Sequence, residues 1–234
     1  MRYVTVHLER EISTLKKKLL LLGAMVEESL SSSVKAIEAA DSGIARKVIE
    51  GDSLIDDMEV QIEEDCLKVL ALYQPVAGDL RFIVAVLKIN NDLERIGDLA
   101  VNIAERALTM AGQPRIHHGL WDFFDDMQSK TRAMVKNSLD ALVNLDVKLA
   151  QKVRDDDDEV DAINRIAYDQ TKILLATKPE WIEMLVPLVN VFRHLERVAD
   201  QSTNIAEDVI YMCQGQIVRH RPDLNGTTVP PKES

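Results

Sequence analysis

Residues 92–105 read DLERIGDLAVNIAE, and residues 194–207 read HLERVADQSTNIAE. At an offset of 102, eight of these fourteen positions are identical: Leu93/Leu195, Glu94/Glu196, Arg95/Arg197, Asp98/Asp200, Asn102/Asn204, Ile103/Ile205, Ala104/Ala206 and Glu105/Glu207. Apolar residues around both segments recur at steps of three and four, the period of one helix face. In the first copy that face is Phe82, Val86, Ile89, Leu93, Ile96, Ala100, Ile103 and Ala107. In the second it is Met184, Leu188, Val191, Leu195, Val198, Ser202, Ile205 and Val209. At about 100° per residue a second stripe falls nearly opposite the first: Glu94, Asp98, Asn102 and Glu105 in one copy, and Glu196, Asp200, Asn204 and Glu207 in the other. One amphipathic helix therefore occurs twice, with its acidic residues expected on the outside.

The repetition extends upstream. At an offset of 105, Asp41 matches Asp146, Ala45 matches Ala150, Val48 matches Val153, Asp52 matches Asp157 and Asp56 matches Asp161. The offset changes by three because a shorter connection, KPEW, stands where the first half has YQPVAGDLR. The period and the punctuation predict six long helices, near 8–40, 43–73, 76–111, 120–145, 147–177 and 179–214. Asp41-Ser42-Gly43 reads as a stop and restart, Gln74-Pro75 as a stop, and Lys178-Pro179 as a start. The expected architecture is all-α: two tandem, pseudo-symmetric three-helix bundles, residues 1–112 and 119–214, followed by a mobile tail over 215–234.

Composition agrees with helices. Apolar residues make up 46% of the 234 residues and aromatics only 4%, so the core must be built from aliphatic side chains and Met. Asp and Glu number 39 against 28 Lys and Arg, a formal net charge of -11. A phosphate backbone repels such a surface, so nucleic acid is excluded as a partner, whereas cations and basic partners fit. The run Leu19–Leu22 is too short to span a bilayer and the N-terminus has no signal-like apolar core, so a cytoplasmic chain without direct membrane insertion is expected. Cys66 and Cys213 form no CxxC or zinc spacing and are expected to be buried thiols.

The acidic stripes carry the chemistry. Carboxylates four apart on a helix repel by roughly 0.2–0.5 kcal/mol per pair. A merely solvated face gains more from alternating signs, and oxygen-only donors suit hard cations such as Mg²⁺, Mn²⁺ or Ca²⁺, or iron. Glu94, Asp98 and Asn102 with Glu196, Asp200 and Asn204 are the candidate metal ligands. The second helix adds Asp52, Asp56, Glu59 and Glu63 at steps of four, three and four, and the fifth repeats this as Asp157, Asp161, Asn164 and Tyr168. Asp56 and Asp161 are chosen from these as helper ligands. Arg95 and Arg197, each three residues before an Asp, are read as ion-pair partners, and His194 stands where the first half has Asp92. His117 and His118 fall in the linker between halves and are read as polar linker residues.

The stretch from Tyr73 to Glu105, YQPVAGDLRFIVAVLKINNDLERIGDLAVNIAE, and the later FRHLERVADQSTNIAE resemble the PhoU family of phosphate-uptake regulators. The resemblance covers about residues 5–215, with the repeated E-x-x-x-D as its signature, here Glu94/Asp98 and Glu196/Asp200. It implies two similar three-helix bundles with metal clusters on their surfaces, a bound divalent metal or iron cluster (Mg, Mn, Fe or Zn), and no catalytic residues. It further implies negative control of phosphate uptake and of the phosphate-starvation response. The implied partners are the ATPase of the phosphate ABC transporter, a membrane sensor histidine kinase and a second copy in a homodimer. The sequence departs from its own repeat at Gly97/Ala199 and at Asp92/His194. Two alternatives remain: a metal-dependent helical-bundle enzyme, against which stands the absence of Glu-x-x-His spacing, of a P-loop and of G-x-S-x-G; and a helical adaptor without metal.

Overall fold

The computed structural model describes residues 2–113 and 119–218, with the side chains of 2–6 left undescribed. Six helices run α1 (Arg2–Ala39), α2 (Ser42–Tyr73), α3 (Ala77–Met110), α4 (Leu120–Asn144), α5 (Val147–Thr177) and α6 (Ile182–Gln214). A single 3₁₀ turn, Pro179–Trp181, precedes α6. His117 and His118 lie outside the described residues, as does the tail from 219 onward.

Two features differ from the pattern expected above at the chain's ends. Helix α1 begins at Arg2 rather than near residue 8, because the β-branched Val4, Thr5 and Val6 blur the start signal without breaking the helix. Past α6, Gly215 takes the left-handed conformation at φ 70° and ends the helix. Val218 then packs back into the core at 2% exposure, so this first part of the tail is anchored.

The turns are built twice from the same parts. Asp41 caps α2, its Oδ1 accepting from the Gly43 and Ile44 amides at 2.7 and 3.1 Å. Asp146 caps α5 in the same way, accepting from Lys148 and Leu149 at 2.9 and 3.1 Å. The residue before each cap, Ala40 or Leu145, adopts positive φ (49° and 52°), and the cap amide donates to the carbonyl five residues back at 3.0 Å in both halves. These tight turns reverse the chain. Lys18 meets Asp65 at 2.7 Å and Lys130 meets Glu159 at 2.7 Å, pairs nearly equidistant from their turns, so α1/α2 and α4/α5 are antiparallel hairpins.

The two three-helix bundles form as expected and also pack against each other. Within each half, α1–α3 and α4–α6 pack as expected, but the most extensive pairing of all is α3 on α6, and α1 also meets α4. The buried residues form one continuous apolar cluster through both halves. α3 and α6 are buried on more than the single stripe read from the sequence: Ala85, Asp92 and Leu99 are buried in α3, and Pro187 and Asp208 in α6. Asp208, 2% exposed, holds Lys88 of α3 at 3.1 Å across the seam. A glycine at residue 23 permits the α1–α4 approach, since a Cβ there would come within 2.7 Å of the Leu139 side chain. Pro187 sits inside α6 without ending it, although proline removes a backbone donor. Cys66 is buried as expected, and burial, with Asp65 and Glu63 nearby, pushes its thiol up to about 12. Cys213 is instead exposed, near the end of α6.

Candidate functional site

Helices α2 and α3 of the first half are antiparallel: the Asn90 side-chain amide donates to the Glu59 carbonyl at 2.9 Å, and seven residues further along α3 Gly97 faces Ile55 and Asp52, earlier in α2. That alignment sets the acidic flank of α2 beside the acidic stripe of α3. Asp52, Asp56 and Glu59 from α2 and Glu94 and Asp98 from α3 influence one another electrostatically. Burial first, then the charges of Asp56 and Asp98, push Asp52 up to about 6. Burial and Asp56 raise Asp98, while burial, Asp98, Glu59 and Asp56 raise Glu94 against the pull of Arg95. Burial, Glu63 and Asp56 raise Glu59.

The second half repeats the arrangement on α5 and α6. Burial pushes Asp157 up to about 6, helped by Asp200, Asp161 and Asp158. Burial and then Asp161 raise Asp200, and burial, Asp200 and Asp161 raise Glu196, each against nearby arginine. The six carboxylates among the eight ligand candidates, Asp56, Glu94, Asp98, Asp161, Glu196 and Asp200, therefore gather as two acidic seams, one per half. The acidic residues lie on the outer surface, as expected, but in the crease between two helices and partly desolvated. Asn102 is half-buried beside the first seam, its side-chain amide donating to the Asp98 carbonyl at 2.8 Å, and Asn204 is likewise half-buried.

Other residues of the two stripes are placed elsewhere. Glu105 faces Arg106 at 3.1 Å, and Glu207 meets Arg154 at 3.4 Å in a largely buried pair. Arg95 and Arg197 close no ion pair within 4.0 Å among the described residues, against the expectation for both; they act on the seams at longer range. His194 is turned away from its seam. Burial, with Arg106, Arg197 and Arg193 around it, pushes its imidazole down to about 4, so it is neutral. Asp52 and Asp157 join the two seams beside the candidate ligands. Their signal was already visible as the repeated Asp-x-x-x-Asp at residues 52/56 and 157/161.

The Gly97/Ala199 departure has a packing explanation. A Cβ on Gly97 would lie 3.2 Å from Ile55 Cγ2 and 3.7 Å from Asp52 Oδ1. In the second half Ala199 carries that methyl, and Val160, one methylene smaller, stands where the first half has Ile55. The volume beneath each seam is conserved by exchange between two helices.

Among the described residues no group of three or more carboxylate, thiol or imidazole side chains is placed to hold a metal ion. The donor set nevertheless fits a hard cation held on an open face. Asp52 Oδ1 is buried with no hydrogen-bond partner, directly under the seam, and its neighbours are carboxylates whose mutual repulsion a cation would relieve.

A pair of three-helix repeats sharing one core, each with an acidic crease between its second and third helices, defines a tandem helical-repeat protein. The chain belongs to the PhoU family: the PhoU domain model matches twice, at residues 19–107 and 124–209. It is 34% identical over 93% of its length to the phosphate-specific transport system accessory protein PhoU homolog of Clostridium acetobutylicum, covering 97% of that protein. It is 37% identical to the Aquifex aeolicus homolog (91% of this chain, 95% of that protein) and 31% to the phosphate-specific transport system accessory protein PhoU of Escherichia coli (94% and 90%). The crystal structure of PhoU from Pseudomonas aeruginosa superposes with a TM-score of 0.86 at 35% identity, covering 89% of this chain and 99% of that one. The phosphate transport system regulatory protein PhoU from Streptococcus pneumoniae gives a TM-score of 0.83 at 26% identity, covering 90% and 99%.

Proposed function

We propose that this chain restrains phosphate uptake, and with it the phosphate-starvation response, when phosphate is plentiful. In this reading it is an adaptor in the cytoplasm, joining the ATPase of the phosphate ABC transporter to a sensor histidine kinase. It acts as a homodimer and holds divalent metal or iron on its two acidic seams. Its helices reach the membrane only through these partners, since no helix among the described residues is long and apolar enough to cross one.

The observation that carries the reading is the duplicated, partly desolvated acidic crease on a PhoU-family chain whose relatives are named as accessory proteins of the phosphate-specific transport system. A bound cation would supply charge neutralisation. The chain's own residues would do the rest: Glu94, Asp98 and Asp56 would hold the first, Glu196, Asp200 and Asp161 the second, with Asp52 and Asp157 beneath them. Loss of the chain is expected to derepress phosphate uptake and starvation genes in phosphate-rich medium. A deletion strain with unchanged uptake and expression would overturn the reading.

A further inference from the structure

The first half carries a groove of about 630 Å³ between the C-terminal part of α1 and the N-terminal part of α2. Met25, Ile44 and Leu54 give it aliphatic walls, and Lys35 and Lys47 line its end nearest the α1–α2 turn. Leu54 is 61% exposed, a large apolar side chain left open to solvent. At the opposite end Glu28 is engaged by the Ser32 hydroxyl at 3.3 Å.

The same place in the second half is closed by ion pairs. The offset of 105 aligns buried Leu15, Leu19 and Leu22 of α1 with buried Leu120, Phe124 and Met127 of α4, so the register is secure. Met25 then corresponds to Lys130, Gly51 to Asp156 and Leu54 to Glu159. Lys130 spans the crease to Glu159 at 2.7 Å, and Lys152 pairs with Asp156. Lys47 is the counterpart of Lys152, but Gly51 offers it no carboxylate, and Lys35 stands where the second half has Asp140. In a chain of net charge -11, neither lysine has an ion-pair partner among the described residues. Gly51 also has no internal reason to be glycine. It lies inside a helix, where alanine is more stable, and a Cβ built on it meets no atom within 4 Å. Bare backbone there allows close approach from outside.

We propose that this groove seats an amphipathic helix of a partner protein, one that presents aliphatic side chains to Met25 and Leu54 and carboxylates to Lys35 and Lys47. The partner supplies the acids that the second half supplies from its own sequence, so docking occurs on the first half alone. A crease between two helices receives a third by ridge-in-groove packing, and the glycine floor lets its backbone come close. The inference rests on the adaptor reading for the existence of a protein partner. The phosphate-uptake phenotype of the deletion strain tests that reading separately.

The test places a benzophenone photo-crosslinking amino acid at Leu54, and in a control chain at Glu159, in cells grown on ample phosphate. Adducts are then sequenced by mass spectrometry. The expected result is an adduct from position 54 to a helical segment of another protein with carboxylates within one turn of aliphatic residues, at least tenfold weaker from position 159. Combining Met25→Lys with Gly51→Asp introduces two of the second half's side chains, among them a carboxylate partner for Lys47, and should cut the adduct at least tenfold while helicity and thermal midpoint stay unchanged. Lys47→Glu alone should do the same. The proposal is overturned by no polypeptide adduct at 54, by an adduct to a second copy of this chain or to a segment without carboxylates, or by equal yield in the folded variants.

Discussion

Asp98 and Asp200 each stand four residues after a glutamate on a partly desolvated face, and each is raised by burial and by the aspartate of the adjoining helix. Asparagine keeps their size and removes their charge. Asp98→Asn with Asp200→Asn should therefore abolish bound metal while leaving the chain helical, because the apolar faces beneath stay packed and each like-charge pair is worth only about 0.2–0.5 kcal/mol. Elemental analysis of chelator-free preparations checks this, and equal metal in both proteins would refute the ligand assignment. The half-buried aspartates give a second prediction. Asp52 and Asp157, near 6 in the folded chain, sit above their unfolded value of 3.8. The folded state thus binds a proton more readily than the unfolded state, and the cost of charging these groups is present above pH 6. It is relieved as pH falls from about 6 toward 3.8. In chelator, the thermal midpoint should rise between pH 7.5 and about 5, and Asp52→Asn with Asp157→Asn should flatten that rise. With saturating metal the slope should shrink, since metal and proton compete for the same oxygens; a hundredfold excess of metal over its dissociation constant adds about 2.7 kcal/mol at neutral pH. A midpoint that falls with pH in the metal-free protein would contradict the assignment.

At the scale of elements, the repeat makes its own control experiment. Ile55 over Gly97 and Val160 over Ala199 are alternative ways to fill one space between paired helices. Ile55→Val alone should cost about 0.5–1.5 kcal/mol for the lost methylene. In a Gly97→Ala background the new methyl occupies that space, so the same change should cost less, with a coupling of at least about 0.5 kcal/mol in a double-mutant cycle. Strict additivity in denaturant unfolding would show that the two sites do not share the cavity. Much at this scale was legible beforehand. The six helices, their turn residues and the two acidic stripes follow from spacing alone, because a helix period and an Asp cap are local signals. The gathering of Asp56 with Asp98 was legible only as a suggestion, since it depends on how α2 rotates against α3. That His194 faces away from its stripe was legible from its register, two residues before Glu196, whereas the partial burial of Asp52 was not, because it is set by neighbours on another helix.

For the whole molecule, the sequence pointed to two bundles, and the structure joins them through α3 and α6. A face that meets another copy of the same helix carries small and polar residues such as Ala85, Asp92 and His194, so its burial leaves little apolar period to read. The consequence is measurable. The chain should unfold in a single calorimetric transition, with equal van't Hoff and calorimetric enthalpies, and residues 119–214 expressed alone should associate or aggregate because the seam face of α6 is then bare. Two resolved transitions, or a monomeric and stable second half, would restore the picture of independent bundles.

The contact of Gly23 with Leu139 adds a mechanical consequence. With α1 pressed on α4 and α3 pressed on α6, the halves touch along two lines, and a body fixed along two lines cannot swing about either. Such a molecule is a poor lever and a good ruler. The two acidic creases therefore stand at a separation set by both lines of contact rather than by one hinge.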